Sequence, residues 1–315
     1  MKILVPDDVA LDLDLPQDEV VLYTFGEPIA EQHRDADVIV MWGFGHRWLN
    51  EIVPTLPDLK LIQTLAAGPD ALLASGAAPP GVEITTGRGF HDRTVAEHTL
   101  MLTLALVRHL PLSLQAQAEH RWATEITGSQ PLHPEGQITT LIDARVLIWG
   151  FGSIGTQVAK VLEVFGAKVR GVARSAGDRA GFPVVAEDDI DSELAETDIL
   201  IMVLPTSEST ADALDARRLA LLPKHALVVN VGRATTWDED AVMTSLRDGE
   251  IAGAATDVTR EEPLPANSKL WDTPNLIITP HSAGGRPDNP EPTIHDNVEA
   301  IRRGELDRLI NRVER

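Results

Sequence analysis

Residues 146–155 read Val-Leu-Ile-Trp-Gly-Phe-Gly-Ser-Ile-Gly, an apolar run followed at once by three glycines spaced G-x-G-x-x-G, and Thr156 to Phe165 then continue with the pattern of an amphipathic helix. A strand, a tight turn and a helix give each glycine a task. Gly150 makes the turn, Gly152 lets an anion approach the backbone, and Gly155 lets helix and strand pack closely. The helix start at Ser153 and Ile154 adds N–H groups and a positive dipole end, so the segment predicts a site for the pyrophosphate of a dinucleotide.

A dinucleotide site of this kind that takes NAD carries Asp or Glu about 20 residues further on, where it binds the ribose hydroxyls. Here the next strand, Lys168 to Val172, runs into Ala173-Arg174-Ser175, with no carboxylate before Asp178. An acid would repel a 2′-phosphate, whereas Arg174 can pair with one and Ser175 can hydrogen-bond it. The pattern points to NADP, with NADPH preferred over NADH.

The chain has 315 residues, more than one hydrophobic core usually serves, and its 43% apolar content can fill two. The formal charge of −21 argues against a nucleic-acid partner. The absence of cysteine excludes disulfides, thiolate metal sites and a cysteine nucleophile. No histidine spacing suggests a metal site, and no signal peptide or span of about 18 apolar residues is evident, which places the chain in the cytoplasm.

Short β-rich runs alternate with helical or loop stretches throughout, the mark of parallel, doubly wound sheets. Strands are predicted at Ile3 to Val5, Val20 to Tyr23, Val38 to Trp42 and Leu59 to Leu65. A second series of six comprises Arg145 to Trp149, Lys168 to Val172, Ile199 to Leu204, Ala226 to Val231, Ile251 to Asp257 and Leu276 to Thr279. Between the series, Thr94 to Leu110 reads as an apolar helix with a capping box formed by Thr94 and Glu97. Polar residues 119–143 read as a surface crossing between domains.

Three short segments end later strands: Val228-Val-Asn-Val231-Gly-Arg233, Thr256-Asp257 leading to Glu262-Pro263, and Thr279-Pro280-His281-Ser-Ala-Gly284. Ligand chemistry in open α/β sheets collects at such ends. With the glycine loop, they resemble the D-isomer-specific 2-hydroxyacid dehydrogenases, the family of glyoxylate/hydroxypyruvate reductases and phosphoglycerate dehydrogenases. The resemblance implies a flavodoxin-like substrate domain at residues 1–94, a Rossmann NADP-binding domain at 95–285 and a C-terminal segment, 286–315, returning to the first domain. It further implies a hinge at the two crossings and a homodimer, for which the apolar helix from Val95 to Leu110 is the candidate surface.

The resemblance places the family's catalytic set on Arg233, Glu262 and His281, and the chemistry asks for those residue types. A 2-oxo acid needs a cation to hold its carboxylate and polarise its ketone, which the forked guanidinium of Arg233 suits. The developing alkoxide needs a proton, which His281 can supply, with Glu262 fixing the ring's tautomer. Asp257 matches the position contacting the nicotinamide carboxamide, and Leu204-Pro205 the loop beside the cofactor, with Val231 and Gly284 lining the same site. Ala66, Ala67 and Gly68 resemble the loop whose amides receive the substrate carboxylate, and Trp42 and Phe44 are candidates for its side-chain pocket. The chain departs from the family pattern at Ala234-Thr235 and at Arg260-Glu261, which blurs the substrate more than the reaction. Two alternatives stay open: a non-enzymatic nucleotide sensor like the C-terminal-binding-protein corepressors, and a formate or phosphite dehydrogenase relative.

Overall fold

The computed structural model describes residues 1–42, 46–134 and 136–314. The chain forms two compact units, Met1–His91 with Arg286–Arg315, and Asp92–Gly285. Phe44 and its flanking glycines lie outside the described residues.

The smaller unit starts with β1 (Lys2–Pro6), β2 (Glu19–Tyr23), β3 (Val38–Met41), α1 (His46–Ile52), β4 (Leu61–Thr64), α2 (Asp70–Ser75) and β5 (Glu83–Thr85). Its sheet is fully parallel in the order β2-β1-β3-β4-β5, the flavodoxin-like arrangement. β5 is not among the predicted strands, since three residues after Pro79-Pro80-Gly81 carry too little periodicity. Alternate residues feed two cores. Leu4, Ile39, Ile62 and Ile84 face one side, and Ile3, Val5, Val38, Val40 and Leu61 the other.

The larger unit contains α3 (Asp92–Val107), α4 (Leu110–Ala118), β6 (Arg145–Trp149), α5 (Ser153–Val164), β7 (Lys168–Ala173), β8 (Gly177–Arg179), β9 (Phe182–Ala186), α6 (Ile190–Leu194), β10 (Ile199–Met202), α7 (Ala216–Leu219), β11 (Leu227–Asn230), α8 (Glu239–Arg247), β12 (Gly253–Thr256) and β13 (Leu276–Ile278). The sheet has eight strands in the order β13-β12-β11-β10-β6-β7-β9-β8, two more than the six expected. β9 takes the place beyond β7 through the tight antiparallel hairpin β8–β9. That short connection, and Pro183 within β9, hide it from a reading that looks for strand-helix alternation.

Three other expectations change. α3 begins at Asp92, so Thr94 lies inside its first turn and is not the N-cap of a capping box. The helix ends at Val107, and His109 takes a left-handed conformation (φ 51°) before α4. Its apolar face, including Val95, Leu102 and Leu106, belongs to the unit's own core because a parallel sheet must be covered, leaving Leu110 and Leu114 of α4 exposed. Residues 119–143 fall inside the larger unit and are no crossing between units.

The chain then returns to the smaller unit with α9 (Glu291–Arg303), whose Ile294, Val298 and Ile301 cover the core of Ile3, Val5 and Leu61. A buried amide network fixes this return. Asn297 donates to Gln63 Oε1 (2.8 Å) and to the Ile310 carbonyl (3.2 Å), while its own Oδ1 accepts from the Ile310 amide (2.7 Å). Thr85 donates to the same Gln63 oxygen at 2.7 Å. No helix among the described residues is long and apolar enough to cross a membrane.

Asn297→Ala is therefore expected to cost about 1–3 kcal/mol, since the amide of Ile310 is left without its acceptor and Gln63 loses a donor. Urea unfolding followed by circular dichroism checks this; an unchanged midpoint would mean that the network does not hold the tail.

Candidate active site

Adjacent parallel strands β11, β12 and β13 put their C-terminal ends side by side, and the three predicted residues Arg233, Glu262 and His281 follow those strands in turn. Backbone packing leaves little choice at the first of these ends. A Cβ on Gly232 would sit 2.6 Å from the Leu204 carbonyl oxygen and 2.7 Å from its nitrogen. The loops after β10 and β11 thus meet backbone to backbone. The buried Asn230 side chain shapes the second loop, accepting from the Gly232 amide (3.0 Å) and donating to the Arg233 carbonyl (3.2 Å). Arg233 itself is half-buried, and its guanidinium donates to the Gly232 carbonyl at 2.9 Å.

His281 also adopts a left-handed backbone (φ 51°). Its Nδ1 lies 2.7 Å from Glu262 Oε2, and both side chains are about one-third exposed, at 32% and 38%. The other Glu262 oxygen accepts from the Thr259 amide at 3.0 Å, which holds the carboxylate toward the ring. With Glu262 at Nδ1, Nε2 is the face of the ring suited to carry a proton to a ligand. Arg260, a departure from the family pattern, anchors this loop. Its amide donates to Glu239 (2.8 Å), and its guanidinium pairs with Asp212 and donates to the Trp237 carbonyl. Burial raises the Glu239 carboxyl above its ordinary range, against the opposing Arg260 amide and charge.

Asp257, 1% exposed, accepts from the amides of Ser282 and Ala283, each at 2.9 Å, and from the Thr279 hydroxyl at 2.6 Å. The carboxylate thus fixes the loop on both sides of His281.

The glycine loop follows β6. A Cβ on Gly150 (φ 102°) would fall 2.5 Å from the Val203 carbonyl oxygen, and one on Gly155 2.6 Å from the Gly150 carbonyl oxygen. At Gly152 a Cβ would meet nothing within 4 Å. Gly152 is the N-cap of α5 and makes no side-chain cap, so the start of the helix at Ser153 and Ile154 opens beside this free space, a place suited to the phosphates of a dinucleotide. Ser153 donates its hydroxyl to Asp92 (3.2 Å).

At the end of β7, Arg174 and Ser175 are exposed. The sequence reading missed Arg179 on β8, whose guanidinium donates to the Phe151 carbonyl (3.0 Å) and to both the carbonyl and the hydroxyl of Ser175 (3.2 Å each). It ties the Ala173-Arg174-Ser175 turn to the glycine loop. Nothing in a linear reading signals it, because β8 is not predicted. No carboxylate stands at Ala173, and Arg179 holds Ser175, the residue next to Arg174.

In the smaller unit, Ala66 spends its amide on Thr64 Oγ1 (3.1 Å) and its carbonyl on the Gly87 amide (2.8 Å). Among the described residues the amides of Ala67 and Gly68 have no such acceptor, so they are the ones suited to an anion. Trp42 stacks on His91 with ring centroids 5.5 Å apart. Among the described residues no group of three or more His, Asp or Glu is placed to hold a metal ion.

A family model described as D-isomer specific 2-hydroxyacid dehydrogenase, NAD binding domain, matches residues 100–283. The glycerate dehydrogenase of Methylorubrum extorquens is 29% identical over 263 residues, 81% of this chain and 80% of its own length. A D-isomer specific 2-hydroxyacid dehydrogenase from Xanthobacter autotrophicus Py2, solved with NADPH and MES, superposes with a TM-score of 0.78 at 29% identity over 99% of this chain and 98% of its own. An NADPH-dependent glyoxylate/hydroxypyruvate reductase from Sinorhizobium meliloti, solved with NADP and sulfate, gives 0.79 at 25% identity with the same coverage.

Gly232→Ala is expected to lower stability by about 1–3 kcal/mol, because backbone atoms on both sides must move. Gly152→Ala is expected to stay within about 0.5 kcal/mol, since its Cβ enters open space. Thermal denaturation of the pair checks this; equal behaviour would contradict the close approach of the two loops.

Proposed function

The chain belongs to the D-isomer-specific 2-hydroxyacid dehydrogenases, oxidoreductases of 2-hydroxy acids, and from that premise we propose that it reduces a small 2-oxo acid to the D-2-hydroxy acid with NADPH. The observation that carries this reading is the 2.7 Å pair of His281 and Glu262 beside the strand end that bears Arg233. NADPH, when bound, supplies the hydride to C2 of the substrate. Everything else falls to the chain. Arg233 holds the carboxylate and draws electron density onto the ketone oxygen. His281 gives that oxygen a proton from Nε2 as the alkoxide forms, and takes it back in the reverse reaction. Glu262 keeps the ring in the tautomer and orientation that this transfer needs. Formate oxidation has no alcohol proton to move, so the pair favours the 2-oxo acid over formate.

NADPH over NADH is supported by Ala173 in place of an acid, by the exposed Arg174 after it and by Arg179, whose guanidinium holds Ser175. The similar structures from X. autotrophicus and S. meliloti hold NADPH or NADP, which supports the same choice. We further propose a homodimer formed through the larger unit. Its exposed apolar side chains Met101, Leu110, Leu114 and Trp122 support that arrangement. The absence of cysteine suits a reducing cytoplasm.

Assays of NADPH oxidation with glyoxylate, hydroxypyruvate and phenylpyruvate test the reading. Turnover with at least one is expected; tight NADPH binding with no turnover on any would favour a nucleotide sensor. Arg233→Ala is expected to lose about 3–4 kcal/mol of transition-state stabilisation, lowering kcat and raising KM together. Near-normal kcat/KM would remove Arg233 from the mechanism.

The wild type is expected to prefer NADPH by at least about tenfold, the equivalent of one charge-assisted contact. Arg174→Ala is expected to weaken NADPH while leaving NADH almost unchanged, as isothermal titration with both cofactors would show, whereas Arg179→Ala, which also frees the glycine loop, is expected to weaken both. Equal loss for both cofactors in Arg174→Ala would mean that Arg174 does not read the phosphate.

A further inference from the structure

His98 sits in the first half of α3, a helix otherwise devoted to covering the sheet of the larger unit. Its Nε2 lies 2.9 Å from the Thr279 hydroxyl and 3.2 Å from Asp257 Oδ1. The hydrogen-bond roles can be assigned by elimination. The Thr279 hydroxyl has one proton, directed at Asp257 Oδ1 at 2.6 Å, and an ionised carboxylate can only accept. Nε2 must therefore carry a hydrogen and donate to the Thr279 hydroxyl oxygen, with Asp257 Oδ1 3.2 Å away beside it.

The carboxylate that accepts from Thr279 is the same one that holds the amides of Ser282 and Ala283. Asp257 is 1% exposed, and a buried carboxylate persists only where donors surround it. His98 is the group that α3 contributes to this set. Without it, Thr279 loses its donor and Asp257 its neighbouring imidazole, so a tie between α3 and the loop that carries His281 is lost.

We infer that His98 is a positioning residue for the reaction, fixing the placement of the proton donor His281 through a relay from Nε2 to Thr279 and on to Asp257. This rests on the reading of His281 as the proton donor. His98 acts on the site only through Thr279 and Asp257, so its loss slows the chemical step more than it weakens binding. A misplaced catalytic group costs rate steeply, on the order of a hundredfold for about 1 Å.

The test compares His98→Leu, His98→Asn and His98→Gln with His281→Asn in the full-length protein, measuring kcat, KM for the 2-oxo acid and the Kd of NADPH. His98→Leu removes the donor. His98→Asn is polar but too short to reach Asp257, so it serves if the leucine variant fails to fold. His98→Gln can place an amide N–H near the position of Nε2. The expected result is a fall in kcat of at least about tenfold for Leu and Asn, with KM and Kd within about twofold of wild type, and recovery of most of the loss by Gln. Wild-type kcat in His98→Asn, while His281→Asn is inactive, would overturn the role of His98 and leave that of His281 standing. A glutamine variant that folds yet is as slow as the asparagine variant would also overturn it. Full activity in His281→Asn would remove the proton-donor reading itself.

Discussion

One buried carboxylate organises the chemistry of this protein. Asp257 stands at the end of β12, next to the end of β13, and spends both oxygens on the loop that carries His281. A negative charge that is 1% exposed costs several kcal/mol to desolvate, and it is tolerable only because amides and hydroxyls point at it. The consequence for function is rigidity. The left-handed backbone at His281 is held from both sides, so the imidazole meets Glu262 without having to search for it. A nicotinamide contact at Asp257, as the family pattern suggests, would have to share oxygens already engaged in this way.

The cofactor region depends on a different constraint, the closeness of backbones. Gly150 and Gly232 both abut the residues Val203 and Leu204 that follow β10, so three strand ends converge where no side chain fits. Gly152 is the exception, with open space above it, and the contrast separates glycines needed for packing from the one that leaves room for a ligand. Arg179 extends the same scaffold by bonding the glycine loop to the Ser175 turn. The turn that carries Arg174 and Ser175 is thus tied directly to the glycine loop.

Much of this was legible in the sequence wherever local pattern and tertiary role coincide. The glycine loop and the long apolar strands follow from residue order, and the family resemblance places Arg233, Glu262 and His281 in the segments that follow three of those strands. What stayed hidden depends on partners far away in the chain. β5 has only three residues, β9 follows a tight hairpin and contains Pro183, and both gain their identity from neighbouring strands. Thr94 looks like a helix cap, but tertiary packing lets α3 begin two residues earlier. His98 reads as one more packing histidine, and only its approach to residues 257 and 279 shows otherwise. Arg179 is likewise an ordinary surface arginine until the β8–β9 hairpin folds it back.

The central claim is that hydride and proton reach one carbonyl group from fixed directions, the proton from His281. Reduction of hydroxypyruvate with NADPH carrying deuterium at C4 of the nicotinamide, followed by proton NMR and chiral separation of the product, tests it most directly. The account predicts a single enantiomer, D-glycerate, with the label at C2 from the deuterated face of the ring only. A racemic product, label lost to solvent, or bound cofactor that never transfers its label to any 2-oxo acid would contradict it.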